Sequence, residues 1–193
     1  MKQLLYVDCN IRLEKSRTKQ LADVFLENVS DDYEIVHLNL MEEPLQPQTG
    51  KFYFDREELL KEGNRTHERF RYAHQIANAD VVVMAAPFWD LSFPALLKIY
   101  IENCSVDGIT FESDETGLHG LCKGKLVYLT TRGGIYKDPT RAQDVPYLKA
   151  IQEFLGFTSF DYVAADGMDI TPEYRKQSLD EAKKKAAELA KTL

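Results

Sequence analysis

Apolar residues fall along this chain in two rhythms that take turns. Solid or alternating apolar runs at residues 3–8, 33–40, 80–86, 125–131 and 160–165 have the length and β-branched content of strands. Between them lie apolar residues at helical spacing. Leu21, Val24, Phe25 and Val29 form one stripe in a helix that starts at Ser16, and Phe70, Ala73 and Ala77 form another over 66–79. Further helices are predicted over 94–105, 145–155 and 172–193. The last gains support from acid–base pairs at i,i+4, Asp180 with Lys184 and Glu181 with Lys185. The unbroken apolar run at 81–86 reads as a strand buried on both faces.

Two stretches fit neither rhythm. Residues 41–63 read as a polar, proline-bearing excursion whose Phe52-Tyr53-Phe54 cluster packs on the body or on a partner. Residues 107–123 are punctuated by glycine and read as an excursion or hairpin, with Ile109-Thr110-Phe111 its ordered part. No repeat or low-complexity linker divides the 193 residues, so one domain spanning 1–193 is expected. Strands alternating with helices give an α/β fold, a parallel sheet with helices on both faces. Five strands without a second half favour the flavodoxin-like order 2-1-3-4-5. In that order the loops after the first, third and fourth strands (9–19, 87–93 and 132–144) converge at the carboxyl edge, where open α/β sheets bind ligands.

Composition narrows the function classes. Hydrophobic residues make up 44% and charged residues 28%, as in an ordinary globular protein. A net charge of −7 without a basic stripe argues against nucleic-acid partners and anionic membrane surfaces. No apolar run approaches the ~20 residues that span a bilayer, and Met1-Lys2-Gln3 leads straight into a strand, so a cytoplasmic setting is expected. Cys9, Cys104 and Cys122 form no C-x-x-C pair and the four histidines are scattered, which points to reduced, structural thiols and no metal site.

The three converging loops carry the candidate chemistry. The first lacks both the nucleotide P-loop and the G-x-G-x-x-G pattern. It places Ser16 and Thr18 at a helix start with Arg12 or Arg17 nearby, which suits a monophosphate or, alternatively, a simple N-cap. The second, Pro87-Phe88-Trp89-Asp90-Leu91, supplies an aromatic wall and backbone donors to a flat ring, or else a turn that completes the core. The third, Thr131-Arg132-Gly133-Gly134-Ile135-Tyr136, has two glycines that let backbone approach a ring and a charge at Arg132 to set beside it; a plain loop is the alternative. Together they suggest a flavin site.

With these residues in view the chain resembles the FMN-dependent, NAD(P)H-using azoreductase and quinone-reductase family. The most specific match runs from Gly108-Ile109-Thr110-Phe111 through Gly120-Leu121, Gly124-Lys125 and Thr130-Thr131-Arg132-Gly133-Gly134-Ile135-Tyr136. It continues through Pro146-Tyr147-Leu148 and Phe154-Leu155-Gly156-Phe157 to Ala165-Asp166-Gly167. The resemblance implies FMN with its phosphate at Ser16, Arg17 and Thr18, and Asn10 standing where a serine is usual. It implies a flavin-edge segment at Phe88, Trp89, Asp90 and Leu91, after Pro87, and a pyrimidine-side segment at Thr131, Arg132, Gly133 and Gly134 with Tyr136 nearby. Phe157 matches a pocket-lining position.

The implied activity is transfer of hydride from NADH or NADPH through flavin N5 to a quinone, azo compound or nitroaromatic, in ping-pong order, by a homodimer. No side chain is obligatory in that chemistry; Asp90 and Tyr136 are the polar modulators. Asp90 replaces the family's usual asparagine, and a carboxylate there disfavours the electron-rich reduced ring and lowers its potential. Residues 41–63 match the family poorly. Two readings of other classes stay open: a flavodoxin-type electron carrier served by protein partners, and a non-enzymatic dimeric binding protein on the same fold.

Overall fold

The computed structural model describes residues 1–136 and 138–193. The five predicted strands form one parallel sheet from β1 (Lys2–Asp8), β2 (Tyr33–Asn39), β3 (Val81–Ala85), β6 (Lys125–Thr131) and β7 (Ser159–Ala165). Their order is β2-β1-β3-β6-β7, the flavodoxin-like order predicted. β4 (Phe111–Asp114) and β5 (Gly117–Gly120) make a separate antiparallel hairpin. Six helices connect these elements: α1 (Arg17–Glu27), α2 (Gly50–Lys61), α3 (Arg71–Asn78), α4 (Ala95–Cys104), α5 (Asp144–Leu155) and α6 (Pro172–Ala190).

The two-residue period of the strands divides the core into two layers. Leu5, Val7, Val82, Met84, Leu126 and Tyr128 face one side, under Tyr72 and Ile76 of α3, Leu97 and Tyr100 of α4, and Leu148 and Leu155 of α5. Leu4, Tyr6, Val81, Val83, Val127 and Leu129 face the other, under Leu21 and Phe25 of α1 and Ala182, Ala186 and Ala190 of α6. Each large side chain buried this way contributes about 1.5–3 kcal/mol. The alanine row lets α6 lie close to α1 and the sheet.

Several expectations are corrected. Part of the 41–63 excursion is helical, as α2. Its Phe52, Tyr53 and Phe54 are consecutive, so they make no stripe, and no residue of α2 is buried. Phe52 packs beneath the Arg69 guanidinium, 3.6 Å from its ring centre, while Tyr53 and Phe54 are exposed. The 66–79 helix begins as a 3-10 turn at Glu68–Phe70 before α3. In the 107–123 segment the expected hairpin forms, with β4 starting at Phe111, the last residue of the predicted ordered part. Thr110 instead is buried and its Oγ1 donates to the Cys104 carbonyl at 2.8 Å, closing α4. A Cβ at Gly120 would fall 2.1 Å from the Gly156 nitrogen, so the hairpin reaches the end of α5 only because both residues are glycine. On α6, Glu181 accepts from Gln177 at 2.9 Å rather than pairing with Lys185. Exposed i,i+4 pairs are too weak to hold one geometry.

Candidate active site

The carboxyl edge of the sheet is where the chain runs out of ladder partners and turns into loops. Those after β1, β3 and β6 meet there, as the strand order requires, and the loop after β7 joins them. They enclose an open cleft of about 650 Å³, a size suited to a cofactor. Arg12, Ser16, Arg17 and Thr18 line one end; Pro87, Phe88, Trp89, Asp90, Thr131, Gly133, Gly134 and Tyr136 line the rest.

The first end is built by the start of α1. Ser16 is its N-cap, with Oγ accepting from Lys19 N at 3.1 Å. Thr18 is fully buried, and its hydroxyl meets that of Thr131 at 2.7 Å, tying the first loop to the third. The backbone N–H groups of Arg17 and Thr18 meet no acceptor among the described residues, as the first turn of a helix leaves them. Among the described residues Arg12 and Lys15 stand beside them without a carboxylate at ion-pair distance, whereas Arg17 is held by Asp169 at 3.0 Å and by the Met168 carbonyl. Orphan N–H groups, the helix dipole and the two cations give this end the chemistry that suits an anion.

The other end is lined by aromatic rings and by backbone. Phe88 is buried against Tyr136, with ring centres 4.6 Å apart, and Trp89 is partly exposed. Trp89 and Ser92 exchange backbone hydrogen bonds of 2.9 and 2.8 Å. The turn between them puts Asp90 at φ 49° and Leu91 at φ 68°, the type I′ pattern that favours Asn, Asp or Gly. The opposite wall is backbone. Gly133 and Gly134 are stapled to the loop after β7 by Asp169 N to Gly133 O at 3.0 Å and Gly167 N to Gly134 O at 2.9 Å. A Cβ at Gly133 would fall 2.5 Å from Asp169 Oδ2.

Four predicted site residues lie elsewhere. Arg132 does not turn its charge into the cleft: it is 6% exposed and closed on Asp144, its Nη2 donating to both carboxylate oxygens at 2.9 and 3.0 Å. Its guanidinium backs the Phe88 ring at 5.2 Å. Asn10 is buried and spends its amide on Asp8, Tyr6 and Ser16. Leu91 points outward, 43% exposed. Phe157 is 2% exposed and sits in the core cluster with Leu155, away from the cleft.

Sequence reasoning missed Lys15, Met168, Asp169 and Ile170, which also line the cleft. Applying the carboxyl-end rule to the fifth strand as well as the others would have found the last three. Burial pushes the Cys9 and Cys122 thiols up to about 12 and Cys104 higher still, so these cysteines are unreactive core residues. Among the described residues no three His, Cys, Asp or Glu side chains are grouped to hold a metal, and no helix is long and apolar enough to cross a membrane.

Fold and cleft together define a flavodoxin-like α/β protein with a place for a planar, phosphate-bearing ligand. The family profile described as "Flavodoxin-like fold" matches residues 2–190. The FMN-dependent NADH:quinone oxidoreductase 2 of Clostridium acetobutylicum is 39% identical over 200 residues, covering 99% of both chains. The FMN-dependent NADH:quinone oxidoreductase of Clostridium beijerinckii is 36% identical over 196 residues with the same coverage. The crystal structure of an azoreductase from Bacillus anthracis str. Sterne superposes with a TM-score of 0.89 at 25% identity, covering 100% of both chains. The chain belongs to the flavodoxin-like family and, within it, to the FMN-dependent NADH:quinone oxidoreductases.

Proposed function

We propose that this protein holds FMN in the cleft and uses it to pass reducing equivalents from NADH, or NADPH, to quinones, azo compounds and nitroaromatics. The observation that carries the reading is one cleft that joins a phosphate receptor to an aromatic slot. The donor set fits FMN. The Arg17 and Thr18 N–H groups, Arg12 and Lys15 suit the phosphate, and Phe88, Trp89 and the Gly133–Gly134 backbone suit the ring.

Bound FMN supplies the hydride chemistry. The chain's own part is to bind, orient and tune. Gly133 and Gly134 allow backbone within contact distance of a ring, and Asp90 sets a negative charge at the slot's rim. No side chain of the cleft forms a nucleophile–base pair, in keeping with a reaction centred on the cofactor. Donor and acceptor take turns at the same cleft, giving ping-pong kinetics.

A homodimer is part of this reading. Trp89, Ile135 and Ile170 are 39–49% exposed at or next to the cleft, apolar surface that a second copy of the chain would cover. Buried, unpaired cysteines suit a reducing, cytoplasmic setting. The test is retention: protein loaded with FMN and desalted should keep stoichiometric FMN, and riboflavin, without the phosphate, should wash out. Protein that keeps neither contradicts the reading.

A further inference from the structure

A hydrogen-bonded chain runs from the surface to the phosphate end of the cleft. His37 on β2 has its side chain 54% exposed, and its Nε2 meets Asp8 Oδ2 at 3.1 Å. Asp8, buried at the end of β1, accepts through Oδ1 from Asn10 N at 2.9 Å and from Asn10 Nδ2 at 2.7 Å. Asn10 Oδ1 accepts from Ser16 Oγ at 3.1 Å, and Ser16 in turn caps Lys19 N. The Tyr6 ring stacks on His37 at 4.9 Å, and its hydroxyl accepts from Asn10 Nδ2 at 3.1 Å. Every polar atom of Asn10 is therefore turned inward.

We infer that Asp8 and His37 are positioning residues for the phosphate end of the cofactor site, acting through Asn10 and Ser16, and that the charge on His37 sets how tightly that end holds an anion. The inference rests on the FMN reading given above. A buried carboxylate close behind a phosphate receptor opposes the anion, while a protonated His37 on the same carboxylate cancels that opposition. The other groups facing the pair do not substitute for His37. Burial and the Asp8 charge hold the Tyr6 hydroxyl and the Cys9 thiol protonated, the thiol pushed up to about 12. On α1, Lys19 is already paired with Asp23 at 3.0 Å.

The test is FMN and riboflavin affinity, read by quenching of flavin fluorescence in apoprotein between pH 5.5 and 8, for wild type, His37→Gln and Asp8→Asn. Gln keeps a polar side chain on an exposed site and Asn keeps the Oδ1 acceptor, so both variants fold. Titration of the FMN phosphate itself is common to all three proteins and cancels in their ratios. The ratio of wild-type to His37→Gln affinity for FMN should rise about three- to tenfold between pH 8 and pH 5.5, and riboflavin should show no such rise. Asp8→Asn should bind FMN more tightly than wild type at pH 8 by a similar factor, whereas a merely structural Asp8 would make that variant weaker. Parallel pH profiles for wild type and His37→Gln overturn the inference, as do equal effects on FMN and riboflavin. Failure of all three proteins to bind FMN overturns the cofactor reading and this inference with it.

Discussion

Arg132 and Asp144 close on each other behind the wall of the cleft, with Nη2 at 2.9 and 3.0 Å from the two carboxylate oxygens and neither residue more than 6% exposed. The pair joins the loop after β6 to the first turn of α5 and holds the guanidinium behind Phe88. Asp144→Ala takes the hydrogen-bonded carboxylate from the buried Arg132 charge and leaves only Asp166, 3.7 Å away; breaking such a buried pair typically costs about 3–5 kcal/mol. Urea denaturation should show a loss in that range, with weaker FMN retention. A loss below about 1 kcal/mol, as for a surface pair, would contradict the structural role.

Asp166 lies on the other side of the same guanidinium. Its Oδ1 is buried without a hydrogen-bond partner among the described residues, 3.7 Å from Arg132 Nη1. Burial raises its carboxyl above the usual range, Arg132 opposes that, and Asp144 adds to it. A carboxyl whose folded pKa is raised binds its proton more tightly folded than unfolded. Its contribution is therefore favourable in acid and is lost as pH rises from the unfolded value through the folded one. Asp166→Asn should be more stable than wild type at pH 7, with the difference shrinking toward pH 4. An Asn variant less stable at pH 7 would show that the ion pair with Arg132 dominates.

Leu91 sits at φ 68° in the Trp89–Ser92 turn, where a Cβ is unfavourable by roughly 1–2 kcal/mol. Its side chain is half-exposed and little packing is lost on removal. Leu91→Gly should raise stability by about 0.5–1 kcal/mol after the extra entropy of glycine in the unfolded chain. Calorimetry should show a higher Tm, and an unchanged or lower one would mean that Leu91 packs on a partner subunit.

The architecture was legible because each β-rich run is bounded by turns and each core helix shows one apolar stripe. β6 matches its predicted limits and α5 differs by one residue. α2 was not legible, since none of its residues is fully buried and its aromatics are adjacent. At the site, the loops were legible from topology, but the direction of each side chain was not. Arg132 and Asn10 are polar residues in the right loops that are consumed by Asp144 and Asp8. Their partners lie 12 and 2 residues away, and no spacing rule distinguishes a cleft-facing arginine from one held behind the wall.

Asp90 has a side chain at the rim of the ring slot and an αL backbone that asparagine also tolerates well. Asp90→Asn removes one negative charge at nearly constant volume. The two-electron potential of bound FMN should rise by roughly 10–30 mV, the range for one partly screened charge at close quarters, with turnover retained. A potential that falls, or activity lost with FMN still bound, would assign Asp90 a hydrogen-bonding or proton-transfer role.

In the proposed function the cleft joins a hydride donor to a quinone through one bound FMN. It is tested most directly by anaerobic titration of the FMN-loaded protein with NADH, followed by a quinone. The flavin absorption should bleach with one equivalent of NADH and return in full with one equivalent of quinone, without a protein partner. Flavin that stays oxidised with excess NADH and NADPH, yet is reduced by a protein electron donor, would contradict it and make the protein an electron carrier.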